Sequence, residues 1–349
     1  MKLLIFLVFF VQFNVLSQEQ NTMNFNDLTN ILNQKFSKKI AFSVLISNNN
    51  KEVYHQNFGF SDKKNNIPVD EQTIFNIASI TKSFTSIAIL KLMEEGKLNL
   101  ENPVTLYFEN VPEDLESIRI HTLLAHKSGF DQSYPLEDIE TSDKALKTIL
   151  EQKLSFIPES NFKYSNINYQ LLALIIEKVA ETSYEEFIRK IILKPLGMTN
   201  TFFWNDEMSE KKIAPMDKKM IKKVGSRNWG WIGASGIFST TKDLSKFWNG
   251  IYRDGFISEK SKKVIFDTYH KASSGTEIGY GFYKNPSTKW DLKEVWTRGT
   301  EDWGHNSVIR YFPEKGTAII VTTNSDRVGK DKEPGNRVIS DLIADFLFQ

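Results

Sequence analysis

Cysteine is absent from all 349 residues. This excludes a disulfide framework, a thiol nucleophile and lipid attachment at an N-terminal cysteine. An excess of one charge is also missing: 44 Lys and Arg balance 43 Asp and Glu. With no polybasic patch either, nucleic acid is not an expected partner. The five histidines form no H-E-x-x-H pattern, and His121 and His126 stand five apart, so a metal enzyme is not indicated. There is no Gly-rich phosphate loop, and no cofactor is expected. The apolar run Leu3 to Val11 falls well short of the roughly 20 residues needed to span a bilayer. Preceded by Lys2 and followed by Val15-Leu16-Ser17, it reads as a signal peptide, residues 1–17, cleaved after Ser17; the competing reading is a membrane anchor. The expected location is periplasmic or secreted, with no stable membrane span once the signal is removed.

What is present is a large reserve of core: 40% of residues are hydrophobic and 26 are Phe. Residues 18–349 can form one large domain or two intimate lobes. Phe25 to Phe36 carries Leu28, Ile31, Leu32 and Phe36 at helical spacing. Strands Ile40 to Ile46 and Glu52 to Phe58 flank an Asn-rich turn. Ile77 to Met93 is an apolar helix ended by Gly96. From His121 to about Phe203 the pattern is mainly helical, clearest at Asn168 to Val179 and Ser183 to Leu193. Residues 204–228 are polar and Lys-rich and read as an exposed loop, and Asp243 to Ile251 as a short helix. Strands return at Gly279 to Tyr283, Glu294 to Arg298, Ser307 to Phe312 and Thr317 to Thr323, and Arg337 to Phe348 closes the chain as a helix. The expected fold is therefore α/β: an antiparallel sheet flanked by terminal helices (about 25–75 and 270–349) with an inserted helical lobe (about 76–269). A ligand site is expected in the cleft between lobes.

Ser79-Ile80-Thr81-Lys82 is one of several Ser-x-x-Lys sequences; others begin at Ser61, Ser160, Ser209 and Ser239. Ser239 sits in a Ser/Thr-rich stretch typical of helix capping. Ser79 differs by opening an apolar helix. A serine there lies near free backbone N–H groups and the positive end of the helix dipole. Lys82 follows on the same face, where burial would lower its pKa and let it act as a base toward the hydroxyl. The competing reading is a capping Ser with a solvated Lys. Tyr164-Ser165-Asn166 precedes another apolar helix. Tyr164 is placed to relay a proton, and Asn166 offers a donor and an acceptor to an amide. A second Tyr-x-Asn, at Tyr283, reads as sheet packing. His126 reads as a hydrogen-bonding residue at a helix–loop junction, and His55 and His270 as surface or packing residues.

With both motifs in this order, the sequence resembles the penicillin-binding protein and β-lactamase family, in the branch of class C β-lactamases, serine D-peptidases and esterases. Four further stretches carry the likeness: Leu123 to Gly129, Pro195 to Thr199, Gly233 to Thr240 and Val321 to Asn324. The resemblance implies Ser79 as nucleophile, Lys82 and Tyr164 as its acid–base partners, and a third motif on a strand edging the cleft. Two alignments compete for that motif. Spacing to Pro313-Glu314-Lys315-Gly316 favours Arg298-Gly299-Thr300; the rival is Gly304-His305-Asn306-Ser307. In the family this strand supplies an oxyanion N–H and a group that receives a substrate carboxylate, a role open to Arg298. The usual triplet is altered here, so an esterase or D-peptidase is expected before a dedicated β-lactamase. The expected partner is a small-molecule or peptide substrate, including cell-wall peptide. The alternative function is a penicillin-binding-like protein that binds cell-wall peptides or a partner without turnover.

Overall fold

The computed structural model describes residues 24–208, 211–252, 255–325 and 335–349. The expected signal segment 1–17 lies outside the described residues. An eight-stranded antiparallel sheet is built from both ends of the chain. Its strands, in chain order, are β1 (Phe42–Asn48), β2 (Lys51–Phe58), β3 (His270–Lys271), β4 (Glu277–Ile278), β5 (Tyr283–Asn285), β6 (Glu294–Thr300), β7 (Asn306–Phe312) and β8 (Thr317–Thr323). They lie side by side as β2-β1-β8-β7-β6-β5-β4-β3, so the first strand pairs with the last from Phe42↔Thr323 to Asn48↔Thr317. The β1–β2 hairpin turns on Asn49 and Asn50, both left-handed (φ 47 and 63), as a tight two-residue hairpin loop requires and as Asn tolerates.

Period-two alternation decides what each face of the sheet buries. Val44, Ile46, Val308, Ile319 and Val321 turn toward the terminal helices α1 (Phe25–Leu32) and α5 (Gly335–Phe348), meeting Leu28, Leu32, Ile339 and Ile343. Leu45, Ile309, Ala318 and Ile320 turn the other way, into the core of the helical insertion. That insertion centres on α2 (Thr81–Glu94) and α3 (Asn166–Ala180), joined by α4 (Thr241–Tyr252). Helix α2 is buried nearly all round, as expected of a helix that is apolar on every side. Among the described residues, no helix is long and apolar enough to cross a membrane, and no cluster of His, Asp and Glu is arranged to hold a metal.

One expectation needs correction and another refinement. The strand expected at Gly279 to Tyr283 is broken: β4 ends at Ile278 and β5 starts at Tyr283. Between them Gly281 turns left-handed (φ 73) and gives its carbonyl to Ser83 Oγ on α2 at 2.7 Å. Among the described residues, 204–228 is largely exposed as expected but is anchored by buried side chains. Trp204, Met208 and Ala214 are buried, and Trp204 and Met208 join Ile74, Trp231 and Phe238 in a satellite core. A short helix, Lys218–Ile221, also lies within this segment.

Candidate active site

The approach to Ser79 is held in a left-handed kink. Phe75–Asn76 pairs with Ile237–Ser239, and Ile77 N–H donates to Ile237 C=O at 2.8 Å. Ala78 then takes φ 48, a costly conformation for a residue with a Cβ. Its N–H is tied to the Asn76 side-chain oxygen at 2.7 Å. The kink turns Ser79 into a 3₁₀ turn, Ala78–Ile80, which runs directly into α2.

One turn along, Nζ of Lys82 lies within hydrogen-bond distance of three oxygens: Ser79 Oγ at 3.1 Å, Asn166 Oδ1 at 2.8 Å and the Ala234 carbonyl at 2.9 Å. Burial pushes the Lys82 pKa down to about 7, with Glu301 pulling the other way. As a neutral amine, Lys82 still has two N–H donors for Asn166 and Ala234 and a lone pair for the Ser79 hydroxyl proton. Tyr164 donates to Ser79 Oγ at 2.7 Å. Burial raises its pKa well above the ordinary value, so it is a phenol rather than a phenolate. Ser79 Oγ thus accepts from Tyr164 while keeping its own proton for Lys82.

His126 positions Tyr164. Its Nδ1 accepts the Ser165 N–H at 3.2 Å and faces the Asn168 amide at 3.1 Å, which leaves the ring proton on Nε2. The ring lies 4.5 Å from that of Tyr164 between centroids. Burial, and then the Lys82 charge, hold the His126 pKa well below the ordinary value, so the imidazole is neutral.

Strand β6 closes the other side, and Gly299 is the point of contact. A Cβ on Gly299 would stand 2.1 Å from Ile77 O and 2.6 Å from Ser79 N, so only glycine lets the strand come this close. Glu301 N–H donates to His305 C=O at 2.9 Å. In an antiparallel ladder alternate residues point their N–H toward the partner strand, and Thr300 faces Asn306. The Thr300 N–H therefore points away from β7, to the edge that β5 leaves uncovered beyond Tyr283↔Trp296. Gly299 thus brings the strand edge carrying the Thr300 N–H alongside the turn that carries the Ser79 N–H.

A cavity of about 500 Å³ opens on Ser79, with Tyr164, Asn166, Arg298 and Thr300 in its wall. Every residue expected from the first alignment of the third motif therefore lies at the site, with Gly299 packed behind it. His305 lies elsewhere. It is buried, its Nδ1 accepts the Asn76 N–H at 2.9 Å, and its Nε2 faces the carbonyls of Ala214 and Pro215 at 3.2 Å. Burial pushes its pKa down to about 4. It braces the strand leading to Ser79 and does not line the cavity.

Tyr283 does more than pack the sheet. It stacks on Trp296 at 4.4 Å and also faces the cavity. The sequence reading missed Trp231, Ser235, Glu301 and Trp303, which line the same cavity. Glu301 carried one available signal, its place directly after Thr300. His55 is more than a packing residue: its Nε2 faces Thr241 Oγ1 at 3.1 Å, and its Nδ1 lies 3.6 Å from Glu71. Thr241 Oγ1 also meets Ser43 Oγ at 2.9 Å, and both hydroxyl residues are buried, so this hydroxyl–His–carboxylate group ties β1 and β2 to α4 and offers no accessible nucleophile.

The sequence model of the family described as Beta-lactamase matches residues 32–343. A penicillin-binding protein of Bacillus subtilis (strain 168) is 28% identical over 81% of this chain and 68% of its own length. Protein flp of Staphylococcus aureus (strain COL) is 38% identical over 81% of this chain. The match spans 59% of the flp protein's own length. The solved structure of an octameric penicillin-binding protein homologue from Pyrococcus abyssi superposes with a TM-score of 0.79 at 29% identity, covering 93% of this chain and 78% of that one.

Proposed function

The chain belongs to the beta-lactamase family, and we propose that it is a serine hydrolase that cleaves an amide or ester through an acyl-enzyme on Ser79. The observation that carries this reading is the double hydrogen bond at Ser79 Oγ, with Lys82 at 3.1 Å and Tyr164 at 2.7 Å. Ser79 Oγ attacks the substrate carbonyl as its proton passes to neutral Lys82. The carbonyl oxygen takes up the negative charge and is held by the N–H groups of Ser79 and Thr300. When the tetrahedral intermediate collapses, the bond to the leaving group breaks. Tyr164 hands its phenol proton to the departing nitrogen or oxygen and recovers one from Lys82. Water then enters by the same route in reverse, losing a proton to Lys82–Tyr164 and freeing Ser79.

The substrates in view are a D-amino-acid peptide, an ester or a β-lactam. Asn166 orients the substrate amide, and Arg298 receives a carboxylate on the leaving-group side. Thr297, which precedes Arg298, is buried against Ser83 Oγ at 2.9 Å and offers no charge to the cleft. This supports esterase or D-peptidase activity ahead of dedicated β-lactam hydrolysis. We also propose export, on the basis of the Lys2 and Leu3 to Val11 pattern; N-terminal sequencing of envelope-fraction protein should begin near Gln18. The nucleophile is tested by intact-mass measurement with a fluorophosphonate or penicillin-type probe. One adduct is expected on the wild type and none on Ser79→Ala. Labelling of another serine, or of none in the folded protein, would overturn the assignment.

A further inference from the structure

Charge in the cavity is divided along β6. On one side of Thr300 stands Arg298, beside Tyr283 and Trp296; on the other stands Glu301, beside Trp231 and Trp303, with Asp302 and Glu137 adding negative charge to the same wall. Thr297, Gly299 and Glu301 alternate onto the face that looks toward α2. The first packs on Ser83, the second on the Ile77–Ser79 turn, and the third lines the cavity together with Ser235 and Trp303. Glu301 is half-buried, and a carboxylate drawn out of water in this way favours a counter-charge. Among the described residues none lies within ion-pair distance of Glu301, and Lys82 Nζ is engaged with Ser79, Asn166 and Ala234. Trp231 and Trp303 line the same space and meet edge to face, 6.2 Å between centroids at 89°, so indoles rather than cationic side chains border the carboxyl on that side.

Which side of the scissile bond faces Glu301 follows from Tyr164. Tyr164 borders a second cavity of about 750 Å³, shared with Tyr283, Trp296 and Arg298. The proton donor therefore serves a leaving group on the Arg298 side, and the acyl group lies toward Glu301. An α-amino nitrogen is two bonds from its carbonyl carbon, about 2.5 Å. A carboxyl on the residue directly after the oxyanion donor Thr300 lies on the side where that nitrogen would sit.

We propose that Glu301 is the specificity residue for a free α-ammonium group on the acyl side, so that the preferred substrate is an amide, ester or short peptide of an amino acid with an unblocked amino group. The inference rests on the reading of Ser79 as the nucleophile. Burial holds the Glu301 proton until about pH 8, with the Lys82 charge opposing. An arriving ammonium group displaces that proton, so binding is accompanied by proton release near neutral pH.

The test compares alanine p-nitroanilide of either hand with its N-acetylated counterpart on the full-length protein. In the wild type kcat/KM should favour the free amine, and Glu301→Gln should lower the ratio of the two by roughly 10- to 150-fold, the loss expected of one charged hydrogen bond. A wild-type preference for the acetylated substrate, or an unchanged ratio in Glu301→Gln, overturns the proposal. Should Glu301→Gln not fold, the wild-type preference and calorimetry of alaninamide binding to Ser79→Ala in two buffers of different ionisation enthalpy decide instead. Proton release supports the proposal, and its absence refutes it. If Ser79 is labelled by the acylating probe while the preference is missing, only the Glu301 assignment falls. If Ser79 is not labelled, both fall together.

Discussion

Replacing Gly299 with alanine puts the closure of the site under direct test. The added methyl would stand 2.1 Å from Ile77 O and 2.6 Å from Ser79 N. Neither neighbour is a flexible side chain; both are backbone atoms of the kinked turn that carries the nucleophile. The strand or the turn must therefore give way by about 1 Å to restore van der Waals contact. The turn resists, because Ile77 N–H is bonded to Ile237 and Ala78 N–H to Asn76, so β6 is expected to move. Thr300 N–H moves with it and leaves the oxyanion position. Loss of one such donor costs about 10²–10³ in kcat, and overpacking should cost about 1–3 kcal/mol of stability. The assay is the single-turnover acylation rate on a p-nitrophenyl ester, beside a urea melt of the same preparation. Acylation within a few-fold of wild type, in a protein destabilised as expected, would refute the oxyanion role of Thr300.

Burial lowers Lys82 to about 7, and in the proposed mechanism the neutral amine is the base. Acylation should therefore climb as pH rises through about 7 and level off above it, and a stopped-flow profile flat from pH 5 to 8 would contradict this. Arg298→Ala should reduce kcat/KM on a carboxylate-bearing D-peptide by about 10- to 150-fold relative to a neutral short-chain ester, and equal losses on both would make Arg298 structural. His305→Ala should lower stability by about 2–4 kcal/mol in denaturant melts, because it removes a buried ring and leaves the Asn76 N–H without its acceptor. A melt unchanged from wild type would show that the brace is dispensable.

How far the sequence was legible depended on the range of each signal. Ser79 with Lys82, and Tyr164 with Asn166, are local spacings set against apolar helices, and the structure links all four side chains in one hydrogen-bonded chain, Tyr164–Ser79–Lys82–Asn166. The terminal helices and the long strands were legible from their periods. Glu301 was not, because its place depends on where β6 ends and which way its last residues alternate. In residues 204–228 composition concealed the anchors: the lysines hide Trp204, Met208, Met216 and Met220, spaced too irregularly to show a helical or strand period. The break at Gly281 was illegible for a related reason. It exists to deliver a carbonyl to Ser83, a partner nearly two hundred residues away.

The pairing of β1 with β8, and the seating of Gly299 on the turn before Ser79, have a consequence for the order of assembly. Sheets closed by strands from opposite ends of a chain form late, since loop entropy must be lost before the contacts that repay it. As the chain emerges from its N-terminus, Ser79, Lys82 and Tyr164 can meet on the helical insertion while β6 is still unmade. A partly synthesised or C-terminally truncated chain would then carry a nucleophile and its base but only one of the two oxyanion donors. On the proposed mechanism, reactivity at Ser79 is the last property the chain acquires, and it reports that both ends have met.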